Sequence, residues 1–350
     1  MNGRVVLVAG AGRSGTSTVA GALSMLGVHL PGPQVPADET NPRGFHETQW
    51  VVDLHKRMLR RSPVVRTLDA RPEAAELAAG LPTDDDAEEL DGWLARALRD
   101  APRGQVVVKD PRVFWFHDLW RGAAARAGAE LGFVTMLRHP VEVAKSRDTH
   151  YTPTDRGESF RRQRATANIA GWVHALLVTE EVSRPDPRAF VRYADLLADW
   201  RPVLAEVAGR LGLDLDHAGD ADVDAFIEPT LRRSEADWSS VDVPDTLRAV
   251  AEGVWEQVDR LVADPTDPAV PPALAALRAD YERLHDHAVG VALDHTQARE
   301  VHVRRRTRAN LREEYESTIA ELEQQLEDAN LAEEGGDETP PRGLFLRRRH

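Results

Sequence analysis

The chain has no cysteine. That absence excludes disulfides, thiolate metal sites and a cysteine nucleophile, and it is compatible with a reducing compartment. Also missing is any run of about 18 apolar residues of the kind that spans a bilayer. The first residues enter a strand pattern almost at once and do not spell a signal peptide. A soluble cytoplasmic protein is the expectation. Positive charge is in deficit too: the formal net charge is −14. Long-range attraction of nucleic acid is therefore not expected, and an anionic ligand has to be caught by a local group of arginines. The 22 prolines and 24 glycines are ordinary for 350 residues, and a hydrophobic fraction of 42% suffices to build a core in one large or two ordinary domains. Ala, Arg and Asp dominate, as in proteins from GC-rich bacterial genomes.

The most informative absence is a single lysine. Val5 to Ser17 reads Val-Val-Leu-Val-Ala-Gly-Ala-Gly-Arg-Ser-Gly-Thr-Ser, a buried-strand run feeding a glycine-rich turn. Gly10, Gly15 and Ser17 have the spacing of a Walker A loop, but Thr16 stands at the lysine position and a cation appears instead at Arg13. Glycines let backbone N–H groups point at an anion, and the helix that follows adds the positive end of its dipole. Phosphate-like groups are thus suitable ligands. Without the lysine, and with no evident acidic magnesium ligand after a second strand, γ-phosphoryl transfer loses its main charge stabilisers. Gly10, Gly12 and Gly15 also match Gly-x-Gly-x-x-Gly, which keeps a nicotinamide or flavin enzyme open as an alternative.

Strand patterns occupy Arg4–Ala9, Gln105–Lys109, Leu131–Leu137 and Ala189–Tyr193, each followed by a helical pattern, which predicts a parallel sheet with its ligands beyond the strands' carboxyl ends. Helical periodicity covers Thr16–Leu26, Thr48–Arg60, Asp84–Arg99, Val113–Ala127, Val141–Thr149, Gly157–Glu181, Pro202–Leu211, Pro244–Val262 and Pro271–Val289. Leu30–His46, with five breaker residues in Pro31, Pro33, Pro36, Pro42 and Gly44, reads as a long surface loop. Beyond about His295 the chain turns charged. Val303–Leu331 predicts one long helix whose Leu311, Tyr315, Ile319, Leu322 and Leu326 recur every three to four residues, as a coiled-coil seam would, with packing on the parent domain as the alternative. Ala332–His350 is Glu-, Gly- and Pro-rich, then basic, and reads as disordered. Its arginines offer a peripheral contact with anionic membranes or acidic partners.

Further groups with chemistry sit at strand ends. Arg138-His139-Pro140 closes the third strand, and Ser146 follows two helical turns later, where its hydroxyl can share an anionic oxygen with Arg138. Lys109-Asp110-Pro111-Arg112 closes the second strand, with Asp110 and Arg112 able to orient Lys109; a buried structural ion pair is the alternative. Arg232-Arg233-Ser234 gathers two cations late in the chain.

Taken in order, these motifs resemble the sulfotransferase family that uses 3′-phosphoadenosine 5′-phosphosulfate (PAPS), over about Arg4 to Val289. The resemblance implies that Gly12-Arg13-Ser14-Gly15-Thr16-Ser17 holds the 5′-phosphosulfate, that Arg138 and Ser146 hold the 3′-phosphate, and that Arg232, Arg233 and Ser234 form a loop over the donor. Arg192-Tyr193-Ala194-Asp195-Leu196 is a further family-like match and implies Tyr193 beside the adenine. Lys109-Asp110-Pro111 resembles the tyrosylprotein sulfotransferase version, in which the lysine supports the reaction. Pro42-Arg43-Gly44-Phe45-His46-Glu47 resembles the Gly-aromatic-Glu segment of bacterial members, making Glu47 the first candidate for the general base and His46 the second; a cap on the helix beginning near Thr48 is the alternative for Glu47, His139 reads as a structural or donor neighbour, and His150 at a helix end as a lesser candidate facing the acceptor. The resemblance further implies metal-independent, in-line transfer, with Arg13 and Lys109 stabilising the charge that develops.

The expected fold is a P-loop-like α/β parallel sheet of four or five strands flanked by helices. Helical insertions at about Trp50–Asp100 and His150–Glu181 form the acceptor cleft. The division expected is a sulfotransferase domain over 1–292, a charged helix over 293–331 and a basic-ended tail over 332–350. The acceptor is a carbohydrate, a lipid or glycolipid, or a small molecule, with a peptide less favoured; a homo-oligomer through the C-terminal helix is an open partner. A nucleotide kinase with a deviant loop and a non-catalytic coiled-coil assembly protein are the rival readings.

Overall fold

The computed structural model describes residues 3–39, 41–62, 65–151, 157–227 and 236–334. Four parallel strands, β1 (Gly3–Ala9), β2 (Gln105–Lys109), β3 (Ala129–Leu137) and β4 (Arg188–Arg192), form one sheet in the order β2-β1-β3-β4. Val6 pairs with Val107 on one side and Gly132 on the other, and Thr135 pairs with Phe190. Among the described residues the sheet has four strands, within the expected four or five. Their apolar residues are continuous because both faces are covered. On β1, Val5 and Leu7 face a cluster with Trp93, Phe114 and Trp120, while Val6 and Val8 face another with Leu23, Met136 and Leu204. This is the two-residue alternation of a strand between two helical layers.

The chain leaves β1, returns as β2 on one side and then crosses to β3 on the other. The crevice where that direction switches, beyond the carboxyl ends of β1 and β3, is where an open α/β sheet leaves room for a ligand.

Most helices fall where the apolar period puts them. Gln49–Arg60, Asp84–Asp100, Glu158–Ser183 and Asp245–Ala263 differ from the sequence reading by one or two residues at their ends. The helix Asp84–Asp100 starts where Thr83 and Asp86 cap each other reciprocally.

Three departures matter. Tyr193 does not finish β4 but opens a short helix, Tyr193–Ala198. Val113–Phe116 is a separate 3-10 turn ahead of the helix His117–Arg126. The last helix runs without a break over Val270–Glu334, where two helices with a gap were expected. The gap residues, such as Gln297, Ala298, Arg299 and Glu300, are good helix formers with no apolar stripe, so periodicity could not register them. The short helices Ala74–Ala79 and Asp220–Phe226 were likewise beneath that signal. The chain divides into two compact units, Met1–Asp286 and His287–His350. Among the described residues no helix is long and apolar enough to cross a membrane.

Candidate active site

The turn after β1 owes its path to two glycines in the left-handed half of backbone space, Gly10 (φ 133°) and Gly15 (φ 88°). A Cβ at Gly15 would lie 2.2 Å from Cδ2 of Tyr193, so both the backbone angle and the ring above it demand glycine. Arg13 also adopts a positive φ, of 80°. Such a residue costs free energy and is held by what surrounds it. Arg138, at the end of β3, donates from its NH1 to the Arg13 carbonyl at 3.0 Å, and the Arg13 Nε donates to Ser146 Oγ at 3.1 Å. The helix Thr16–Met25 starts directly from the turn, presenting first-turn N–H groups that have no carbonyl ahead of them in the helix.

Arg138 is in turn fixed by Glu142, its Nε lying 2.9 Å from Oε2, and Trp172 donates to its carbonyl at 3.1 Å. Its guanidinium sits 5.1 Å from the Tyr193 ring centroid. Burial raises the Tyr193 phenol above its ordinary pKa, against the pull of Arg138 and a hydrogen bond with Thr18. The structure thus brings Arg13, Gly15, Arg138, Ser146 and Tyr193 into one contact network, although 180 residues separate the first from the last.

A second group closes β2. Lys109 donates to Glu47 Oε1 at 2.5 Å, and both side chains are buried. The neighbouring Asp110 is completely buried. It accepts from the Arg112 backbone at 2.7 Å and side chain at 2.5 Å, and lies 3.2 Å from His55 Nδ1. Trp120 donates to His55 Nε2 at 3.0 Å, which requires a lone pair there and leaves the ring proton on Nδ1, facing Asp110. Burial alone would raise the Asp110 pKa, but His55 and Arg112 outweigh it and hold the carboxyl below its ordinary value.

These groups open onto one cleft of about 970 Å³, bordered by the glycine turn, by Thr16 and Ser17, by Lys109 and Glu47, and by Arg138, Ser146 and Tyr193. The loop Leu30–His46 forms part of its wall, and its Asn41 donates to Ser17 Oγ at 3.4 Å.

Two sequence candidates do not border the cleft. Ser14 has a buried side chain, and its N–H is donated to the Ala11 carbonyl at 3.1 Å. His46 turns its Nε2 toward Gly21 and packs edge-on against Phe226, with ring centroids 5.2 Å apart; burial lowers its pKa. The packing therefore disfavours the charged ring. His139 is similarly enclosed by Trp238 and Trp255. Arg232, Arg233, Ser234 and the side chain of His150 lie outside the described residues.

Sequence reasoning overlooked Arg43, Lys145 and Arg147, which also border the cleft. The Arg147 guanidinium comes within 3.5 Å of the position a Cβ on Gly12 would take, and its Nε donates to Asn168 at 2.9 Å. Its place directly after Ser146 was the available signal.

The topology and this cleft define a P-loop-like α/β protein with a glycine-rich turn at the switch point. A family model described as "Sulfotransferase family" matches residues 6–217, and the chain belongs to that family. Its members are transferases, and sulfuryl transfer is the general activity. Among solved structures, the sulfotransferase domain of the Synechococcus PCC 7002 olefin synthase is similar at 16% identity over 74% of this chain and 95% of that one, with a TM-score of 0.43. The sulfotransferase domain from the curacin biosynthetic pathway is similar at 15% identity over 74% and 98%, with a TM-score of 0.42. No curated protein matches the chain.

Proposed function

We propose that this protein transfers the sulfuryl group of 3′-phosphoadenosine 5′-phosphosulfate to a hydroxyl of a carbohydrate, glycolipid or small-molecule acceptor. The observation that carries the reading is the clamp of Arg138 onto the Arg13 carbonyl, with Ser146 bonded to Arg13, all on the cleft that Lys109 and Glu47 also border. Two anion-holding groups at the ends of neighbouring strands suit a donor that is charged at two separated points. The turn's N–H groups and Arg13 suit the 5′ end, and Arg138 with Ser146 suits the 3′-phosphate. Tyr193, close against Gly15 on the cleft wall, suits the base as an aromatic neighbour.

In the transfer, the bond between sulfur and the phosphate oxygen breaks as the acceptor oxygen bonds to sulfur, and the acceptor loses its proton. Lys109 supplies positive charge where the sulfuryl and leaving oxygens gain negative charge. Glu47 is the base: Lys109 holds its Oε1, and Oε2, without a partner among the described residues, is left to take the proton. The Asp110–Arg112–His55 cluster positions the end of β2 that carries Lys109. His46, packed against Gly21 and Phe226 and not on the cleft wall, is a poorer candidate.

Equilibrium binding tests the donor. Adenosine 3′,5′-bisphosphate should bind without metal and far better than ATP; tighter, magnesium-dependent ATP binding would favour a kinase instead. A screen of acceptors with labelled PAPS then identifies the acceptor.

The stripe Leu311, Tyr315, Ile319, Leu322 and Leu326 is exposed on the terminal helix, each residue between 46% and 65% accessible. Such a seam suits a second copy of the helix, and we propose it as the homo-oligomer contact.

A further inference from the structure

A second cavity, of about 570 Å³, adjoins the cleft and shares Lys56, Thr67, Leu68, Arg112 and Arg147 with its wall. Its cations are Lys56, Arg60, Arg66, Arg112, Arg147 and Arg164; among the described residues no carboxylate borders it. In a chain of net charge −14 this is a local reversal of sign. The chain contains only three lysines, and all three, Lys56, Lys109 and Lys145, border the cleft.

Charge pairing elsewhere on the same helix shows that the reversal is particular to this wall. On Gln49–Arg60 and the residue after it, Arg57 and Arg61 are bound to Asp86 and Arg57 also to Glu89. Lys56 and Arg60, four residues apart on another face, have no ion pair with a described carboxylate, and neither have Arg66 and Arg164. Arg112 and Arg147 are held in place by Asp110 and Asn168. Lys56, Arg60, Arg66 and Arg164 thus share a wall without counter-charges among the described residues; like charges repel, and an anion seated among them relieves that repulsion. Leu59, Val65, Leu68 and Ala70 supply an apolar part of the same wall.

We infer that this annex is a specificity site for an acceptor that carries an anionic group, a phosphate, sulfate or carboxylate, on an apolar or ring-shaped body besides the hydroxyl that is sulfated. The assignment rests on the transfer proposed above. It makes the annex, and not the glycine turn, the place where acceptors are told apart. Guanidinium groups suit it because their planar forks match the oxygens of all three anions.

The test uses the full chain saturated with adenosine 3′,5′-bisphosphate and titrates it with 4-nitrophenyl β-D-glucuronide and with the neutral 4-nitrophenyl β-D-glucoside. The anionic probe should bind on the order of tenfold tighter, the scale of one charge-assisted contact. That preference should shrink with salt and vanish in an Arg66→Gln/Arg164→Gln double variant whose bisphosphate affinity stays within about twofold of the parent, because the turn's contacts are untouched. Equal binding of the two probes, or a preference that the double variant keeps, overturns the assignment. A double variant that loses bisphosphate affinity instead gives these arginines to the donor and overturns it as well. Should the bisphosphate fail to bind while the probe preference persists, the donor reading fails and the anion site stands.

Discussion

The carboxyl ends of β1 and β3 and the carboxyl end of β2 border the same cleft, each with a buried ion pair, but differ in what else their cations hold. At β1 and β3 the cations reach the glycine turn and its neighbours: Arg13 donates to the Ser146 hydroxyl, and Arg138, paired with the buried Glu142, also donates to the Arg13 carbonyl. At β2 every charge has a buried counter-charge, Lys109 with Glu47 and Arg112 with Asp110, backed by His55 and Trp120. A cation that is also bonded to the turn is held where an anion seated there would meet it. One matched to a buried carboxylate is oriented, and its charge is largely spoken for until a reacting group develops charge beside it. The first arrangement suits binding and the second suits a chemical step.

The comparison breaks most visibly at Asp110. Asp110→Ala leaves Arg112 and His55 without their buried partner and should destabilise the fold by about 3–5 kcal/mol, read as a lowered denaturation midpoint. Little change there would mean the β2 cluster is not held by charge.

Lys109→Ala should lower turnover by on the order of 10²–10³, or about 2.7–4 kcal/mol, while changing bisphosphate affinity far less. Because it also strands Glu47, a Lys109→Ala/Glu47→Gln double variant should recover stability but not rate.

Arg138→Ala is expected to do the reverse, weakening bisphosphate binding by about 1.5–3 kcal/mol as a charge-assisted contact is lost. If Arg138 governed turnover and Lys109 governed binding, the contrast between the two strand ends would be inverted.

Acid should act on the packing around both ends. Burial lowers the pKa of His46, His117, His139 and His174 below the ordinary imidazole value, so these rings bind protons less readily folded than unfolded. The unfolded chain then binds more protons below about pH 6.5, and stability falls as pH drops through that value. Each ring contributes at most about 1.4 kcal/mol per pH unit. Melting curves at pH 7.5 and 5.5 check the sign, and His174→Gln should flatten the difference.

The smallest effect expected on transfer comes from truncation after Val289, which removes the exposed seam. Sedimentation should show loss of self-association with turnover within about twofold, since no described cleft residue lies beyond Phe226. A truncated chain that keeps its oligomeric state would remove the seam's proposed role.

Legibility in the sequence followed local signals. The turn from Gly10 to Ser17, the strand ends at Lys109 and Arg138, and the offset from Arg138 to Ser146 could be read because glycine angles, β-branched runs and helical rise are local properties. His46 could not be judged that way: it directly precedes Glu47, yet it packs against Gly21 and Phe226, which are distant in the chain. Lys56, Arg60, Arg66 and Arg164 look like ordinary surface charges in the sequence, and only the wall they share distinguishes them from Arg57 and Arg61.

By itself the sequence determined the parallel α/β architecture, the phosphate-type turn lacking its lysine, and the residues able to carry an anion, because periodicity and composition act over a few residues at a time. The tertiary structure alone decided that Glu47 reaches Lys109 across 62 positions, that Arg138 closes over Arg13, and that scattered arginines line a common annex. Those are meetings between segments that the crossovers of the sheet bring to one edge, and no local preference encodes them.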